Sequence, residues 1–252
     1  GIPVMVVLER AFKYYPDEVR EMSMIAIEAG AKRICVADTQ GAEDMSSMSN
    51  MLRWYFENVG NRFPEVGVDA HIHDDLGMGV ANSLIAVQEG VDRLHATFLG
   101  IGERVGNVDI ANLITVMRTR GYYNRDLSNL VPFYSDMARL LEMKIPDRAP
   151  IIGTSAFDSS SGIHADTTLK EKRLESKAGI YFALDPDLVG ANAKFEVGIM
   201  SSPANVILKC SELGIEPTPE LESRLLFEAQ ERGEILSSER IVEIAHEMAN
   251  KK

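Results

Sequence analysis

The chain has 252 residues, 45% of them hydrophobic, with 38 acidic against 26 basic side chains and a formal net charge of -12. That length can bury the core of one large α/β domain or of a domain with an appendage, and an acidic chain without a basic stripe argues against a nucleic-acid partner. No stretch approaches the roughly 18 apolar residues of a membrane span, the N-terminus lacks a basic-then-apolar leader, and the isolated Cys35 and Cys210 suit a reducing compartment; a soluble cytoplasmic protein is expected.

Residues 2–8 form a valine-rich run interrupted by Pro3, suited to a buried parallel strand that ends at Glu9-Arg10. Pro16, Asp17 and Glu18 open a helix with an apolar face at Met22, Ile25, Ala26 and Ala29, and Gly30 stops it. A second strand over 33–37 ends in Asp38-Thr39-Gln40-Gly41, and a helix over 47–59 carries Met48, Met51, Leu52, Tyr55 and Phe56 as packing residues. The third strand passes Val66, Val68 and Ala70 into His71-Ile72-His73-Asp74-Asp75. After a helix over 80–89, closed by Gly90, a fourth strand over 92–98 feeds the loop Gly100-Ile101-Gly102-Glu103-Arg104-Val105-Gly106-Asn107.

Strands therefore recur near residues 3, 33, 68 and 93 with a helix in each gap, which predicts repeated βα units with right-handed crossovers. In such architecture the functional groups gather at the C-terminal ends of the strands. A helix over 108–119 follows, and then the alternation stops: 127–143 reads as a helix, Pro146, Pro150 and the loop 153–162 mark a break, and Phe157-Asp158-Ser159-Ser160-Ser161-Gly162-Ile163-His164 is polar and serine-rich. A mixed helical stretch over 166–178, a short segment at 180–182, and helices over 203–213, 219–232 and 238–248 complete the chain, with a frayed Lys251-Lys252 tail. We divide it into 1–125, four βα units, and 126–252, mostly helical.

With a strand period of two, His71 and His73 point to one side, and imidazole nitrogens are good ligands for a divalent ion. An isolated HxH is more often scaffold or surface; Asp74, Asp75 and Asn107 at neighbouring strand ends add weight to chelation, with the two aspartates placed to orient the imidazoles. Gly100, Gly102 and Gly106 permit close backbone approach to a ligand, although no dinucleotide-binding context surrounds them. Glu103 and Arg104 read as a pair bracing that loop, and His95 as a core or supporting residue.

HIHDDLGMGVANSLIAVQEG, HATFLGIGERVGN, SGIHADTTLK and YFALDPDLVG, in this order and spacing, closely resemble the 2-isopropylmalate, homocitrate and citramalate synthases, of the metal-dependent barrel superfamily that includes 3-hydroxy-3-methylglutaryl-CoA lyase. The resemblance implies a (β/α)₈ barrel followed by a helical subdomain, of which this chain carries strands five to eight. It implies condensation of acetyl-CoA with a 2-oxo acid and hydrolysis of the thioester, using a divalent ion (Mg, Mn or Zn). Carried over by motif, His71 and His73 are metal ligands, Asn107 lies on or near the metal, and Thr39, Gly100, Gly102 and Glu103 belong to the co-substrate side. Glu9 ends the fifth strand; His164 is the candidate base for enolisation, with Tyr181 orienting or protonating and Glu9 assisting. In the family the His/Tyr pair comes from the partner subunit.

The departures are the missing strands one to four, which hold an aspartate ligand and an arginine for the oxo acid, and Asp74 where the family usually has asparagine. The expectation is a fragment, or one part of a split enzyme acting as a homo-oligomer or with a chain that supplies strands one to four. Cleavage of the 3-hydroxy-3-methylglutaryl-CoA type and a non-catalytic metal-binding subunit are the alternatives.

Overall fold

A computed structural model of the protein describes residues 1–173 and 181–249, with backbone alone at 172 and 173. The predictions for 174–178, residue 180 and the tail lie outside the described residues. The chain divides into two compact units, Gly1–Arg125 and Asp126–Lys252.

The first unit is a four-stranded parallel sheet, β1 (Met5–Leu8), β2 (Arg33–Asp38), β3 (Gly67–Ile72) and β4 (Arg93–His95), in the spatial order of the sequence. Helices α1 (Pro16–Glu28), α2 (Met45–Asn58), α3 (Gly79–Gln88) and α4 (Ile110–Thr119) follow the strands in turn. This is the expected run of βα units, an α/β arrangement that a partial barrel fits. Local chemistry sets the helix starts: Glu18 accepts the Tyr15 N–H at 2.8 Å, Asp44 that of Ser47 at 2.7 Å, and Asp109 that of Asn112 at 3.0 Å.

Alternation along the strands then sorts the side chains. Leu8, Ile34, Val36, Val68, Ala70 and Ile72 pack with Val19, Met48, Leu52, Tyr55 and Leu113 from the helices, each large apolar group contributing about 1.5–3 kcal/mol on burial. The opposite face carries Met5, Val7, Arg33, Cys35, Asp69, His71 and His95, with Cys35 opposite Asp69 and His71 opposite both Ala37 and His95. That second face is polar and positions the site.

Three local expectations change. The first strand was expected to be buried, yet Val4 and Val7 are 55% and 44% exposed, because β1 has one neighbour among the described strands and only its helix-side face is covered. Ile25 is 61% exposed; the inward face of α1 is Val19, Ser23 and Ala26, the set one turn and two turns apart. The fourth strand is also shorter than expected, since the backbone leaves the sheet after His95 and turns through Leu99 at φ 53°.

The second unit contains α5 (Leu130–Leu140), β5 (Asp158–Ser159), α6 (Gly162–Arg173), β6 (Lys194–Phe195), α7 (Pro203–Leu213), α8 (Pro219–Arg232) and α9 (Ser238–Ala249). The parallel pairing of β5 with β6 was not foreseen, because two-residue strands are too short to display a period. Val206, Cys210, Leu221, Leu225, Ile241 and Ile244 form its main apolar cluster. Buried Glu228 is surrounded by Arg224, Arg232 and Arg240 at 2.6–3.1 Å. No helix among the described residues is long and apolar enough to cross a membrane.

Candidate functional site

At the C-terminal end of β3 the two imidazoles come together. His71 Nε2 lies 3.3 Å from His73 Nε2, with ring centroids 5.0 Å apart and nearly perpendicular. His73 is buried, and its Nδ1 faces the Gly106 carbonyl oxygen at 3.1 Å. A carbonyl only accepts, so Nδ1 carries the proton and Nε2 presents a lone pair. This is the tautomer and anchoring a metal-binding histidine needs. Burial, then the neighbouring His73 and His95, push the His71 imidazole below its ordinary pKa, which keeps it in the neutral, ligating form.

The pair fits a divalent ion. Two imidazole nitrogens bound side by side at about 2.0–2.1 Å from one ion stand roughly 3.0–3.4 Å apart. The backbone of Asn107, the residue that ends the glycine loop, bridges to His73. The Asn107 Nδ2–H donates to the Ile101 carbonyl at 3.0 Å, whereas its buried Oδ1 has no hydrogen-bond partner among the described residues. An unpartnered amide oxygen and two neutral imidazoles are donor types that Zn²⁺, Mn²⁺ or Mg²⁺ accept. Among the described residues no group of three or more His, Cys, Asp and Glu is placed to hold a metal; this set is two imidazoles and an amide.

The loop after β4 builds the rim. Gly106 has φ +102°, and a Cβ there would lie 1.8 Å from the Gly100 carbonyl oxygen. At Gly102 a Cβ would run into the Asn107 side chain. The glycines are thus demanded by the loop folding on itself. Arg104 reaches from this loop to Asp75 at 2.7 Å and to the Thr39 carbonyl at 2.7 Å, tying three βα loops together. Its guanidinium holds the Asp75 carboxyl below the usual range. The expected Glu103–Arg104 pair is looser, at 3.7 Å.

Neither aspartate after the histidines touches an imidazole by hydrogen bond: Asp74 accepts the Gly79 N–H at the start of α3 at 2.6 Å, and Asp75 takes Arg104. The orienting group for His73 is instead a backbone carbonyl, invisible to side-chain pattern reading. Asp38 is likewise used up within its loop, accepting from Ala42 and Glu43, and the Thr39 hydroxyl accepts the Arg10 N–H at 2.8 Å. Glu9 is exposed at the end of β1, on the same end of the sheet. Beneath the pair, buried Asp69 is hydrogen-bonded by Arg33 and lies 3.4 Å from His95 Nε2, making His95 a supporting residue.

This sheet end, with its histidine pair and self-coiled glycine loop, falls inside residues 1–142, which match the HMGL-like family. The chain belongs to the HMGL-like family. It is 32% identical to a probable 2-isopropylmalate synthase of Methanopyrus kandleri over 238 residues, 93% of this chain and 45% of that protein. It is 30% identical to an (R)-citramalate synthase of Aquifex aeolicus over 212 residues, 82% of this chain and 38% of that protein. A hydroxymethylglutaryl-CoA lyase structure from Pseudomonas aeruginosa superimposes with TM-score 0.49 at 17% identity, covering 57% of this chain and 51% of that one. The chain spans less than half the length of these two synthases.

The second unit of this HMGL-like chain holds the other predicted residues. His164, in the first turn of α6, is stacked on Tyr181, with ring centroids 4.1 Å apart and planes at 24°. His164 Nδ1 lies 3.1 Å from the Ser159 hydroxyl oxygen. Tyr181 also lines a cleft of about 400 Å³. The sequence singled out His164 and Tyr181; Ser159 escaped because its contact depends on how β5 is aimed at α6.

Proposed function

We propose that the protein carries part of the machinery of an acetyl-CoA-dependent condensation with a 2-oxo acid, followed by thioester hydrolysis. The single observation that supports this most is the convergence of His71 and His73 at 3.3 Å, with His73 held in its ligating tautomer by Gly106. The synthase relatives add support. His71, His73 and Asn107 would hold a divalent ion, which when bound polarises a 2-oxo acid carbonyl and offsets developing negative charge.

The chain's own residues take the remaining work. Neutral His71 and His73 contribute lone pairs, and Arg104 with Asp75 and the Thr39 carbonyl keeps the rim closed up. His164 and Tyr181 serve acid–base chemistry on the thioester, whose weakly acidic methyl group needs positioned partners. Glu9, exposed at the end of β1, is the assisting carboxylate. The unit acts with four further βα units, from the same polypeptide or another, in a homo- or hetero-oligomer: among the described strands β1 and β4 each have one neighbour, and Val7 is exposed on the face away from the helices.

The test is release of free CoA from acetyl-CoA in the assembled protein. It should require both a 2-oxo acid and a divalent ion, and His71→Ala with His73→Ala should abolish it together with Mn²⁺ or Zn²⁺ binding by calorimetry. Tight metal binding without any CoA release would point to a non-catalytic subunit, and cleavage of 3-hydroxy-3-methylglutaryl-CoA to the reverse reaction type.

A further inference from the structure

The hydroxyl of Ser159 lies between two segments that are themselves held by backbone and side-chain hydrogen bonds. Its residue sits in β5, where the Ser159 carbonyl accepts the Glu196 N–H at 2.9 Å. The next carbonyl, of Ser160, accepts the Ser201 hydroxyl at 2.8 Å. The start of α6 is pinned as well, by Gly162 N–H donating to Met200 at 2.9 Å. Between these two fixed segments, Ser159 Oγ meets His164 Nδ1 at 3.1 Å and accepts the Ser161 N–H at 3.4 Å.

A hydroxyl has one proton and two lone pairs. The Ser161 N–H takes one lone pair, and the only other partner of Oγ among the described residues is His164 Nδ1. If Oγ–H donates to Nδ1, the hydroxyl proton and the Nδ1 lone pair are both used. If instead Nδ1–H donated to Oγ, the hydroxyl proton would have no acceptor among the described residues, and the arrangement that pairs both groups is favoured.

We propose that Ser159 is a positioning residue that fixes neutral His164 as its Nε2–H tautomer. His164 then offers an N–H from the edge of the ring stacked on Tyr181, and the chemical class it would recognise is a carbonyl oxygen that gains negative charge, such as that of a thioester undergoing enolisation. This deepens, and rests on, the condensation reading. It assigns the resting imidazole the donor's part and leaves removal of the methyl proton to another group, for which Glu9 is the carboxylate available.

Long-range ¹H–¹⁵N correlation of the imidazole in the full protein reads the tautomer without any turnover. The expected result is a pyridine-type Nδ1 and a pyrrole-type Nε2, with Ser159→Ala shifting both nitrogens toward averaged values and Ser159→Thr restoring them. A pyrrole-type Nδ1, or ¹⁵N shifts indifferent to Ser159→Ala, overturns the proposal. In the CoA-release assay Ser159→Ala should lower kcat on the order of tenfold with KM for acetyl-CoA unchanged, and Ser159→Thr should recover it. Wild-type kcat in Ser159→Ala beside an inactive His164→Ala removes Ser159's part alone. A fully active His164→Ala removes the acid–base reading with it.

Discussion

Replacing Gly106 by alanine tests whether the glycine loop sets the histidine pair proposed to hold a divalent ion. The residue sits at φ +102°, and its new Cβ would fall 1.8 Å from the Gly100 carbonyl oxygen. Holding a non-glycine residue in such a conformation costs about 1–3 kcal/mol, and relieving overlap with a backbone atom about 1–3 kcal/mol more. A total of roughly 2–6 kcal/mol is a large share of a stability of about 5–15 kcal/mol, so the loop should move before the unit unfolds. Movement withdraws the carbonyl that faces His73 Nδ1 at 3.1 Å and accepts the Asp74 N–H at 3.2 Å. Loss of such an orienting partner weakens metal binding by roughly 10–100-fold. The assay is Mn²⁺ titration by calorimetry with thermal unfolding alongside, and Tm should fall by roughly 10 °C. Gly121→Ala is the control: φ there is +81° but a Cβ meets nothing within 4 Å, so it should cost only the conformational part and leave Mn²⁺ affinity alone. A Gly106→Ala protein that binds Mn²⁺ like wild type would refute the link between loop and ligand pair.

Other outcomes follow from burial and charge. Glu228→Ala leaves Arg224, Arg232 and Arg240 facing one another and should destabilise the second unit by on the order of 2–3 kcal/mol; an unchanged urea midpoint for that unit would contradict this. Hydrogen bonding by Arg240 holds the Glu228 carboxyl below its ordinary value. Its contribution is therefore present above the unfolded-state pKa and lost as pH falls through the lower folded value, so Glu228→Gln should flatten the acid limb of stability. The His71 imidazole is depressed too, which gives the same sign: stability and metal affinity hold above the ordinary histidine range and fall on acidification below it, and an NMR titration placing His71 above that range would break the argument. Burial pushes the Cys35 thiol up to about 12 and raises Cys210 as well, so neither should react with iodoacetamide at neutral pH until the protein is unfolded; native-state alkylation by mass spectrometry would show otherwise.

The sequence by itself determined the four βα units, because each strand and helix carries its own period and its own stop. Pro16, Thr218-Pro219 and the glycines after helices are local devices, and local devices read from one dimension. It also determined which residues could ligate: His71 and His73 share a face by the two-residue repeat, and Asn107 closes a distinctive loop. What only the tertiary structure decided is how those groups are aimed. The Gly106 carbonyl that fixes His73 lies 33 residues away, Arg104 spans 65 residues to the Thr39 carbonyl, and the aspartates beside the histidines turn to a helix start and an arginine. Ser159 reaches His164 only because β5 and α6 are each pinned by different partners. Ligand identity is a property of side-chain chemistry and spacing, whereas tautomer, proton direction and strain depend on atoms brought close by the fold, and no pattern along the chain contains those distances.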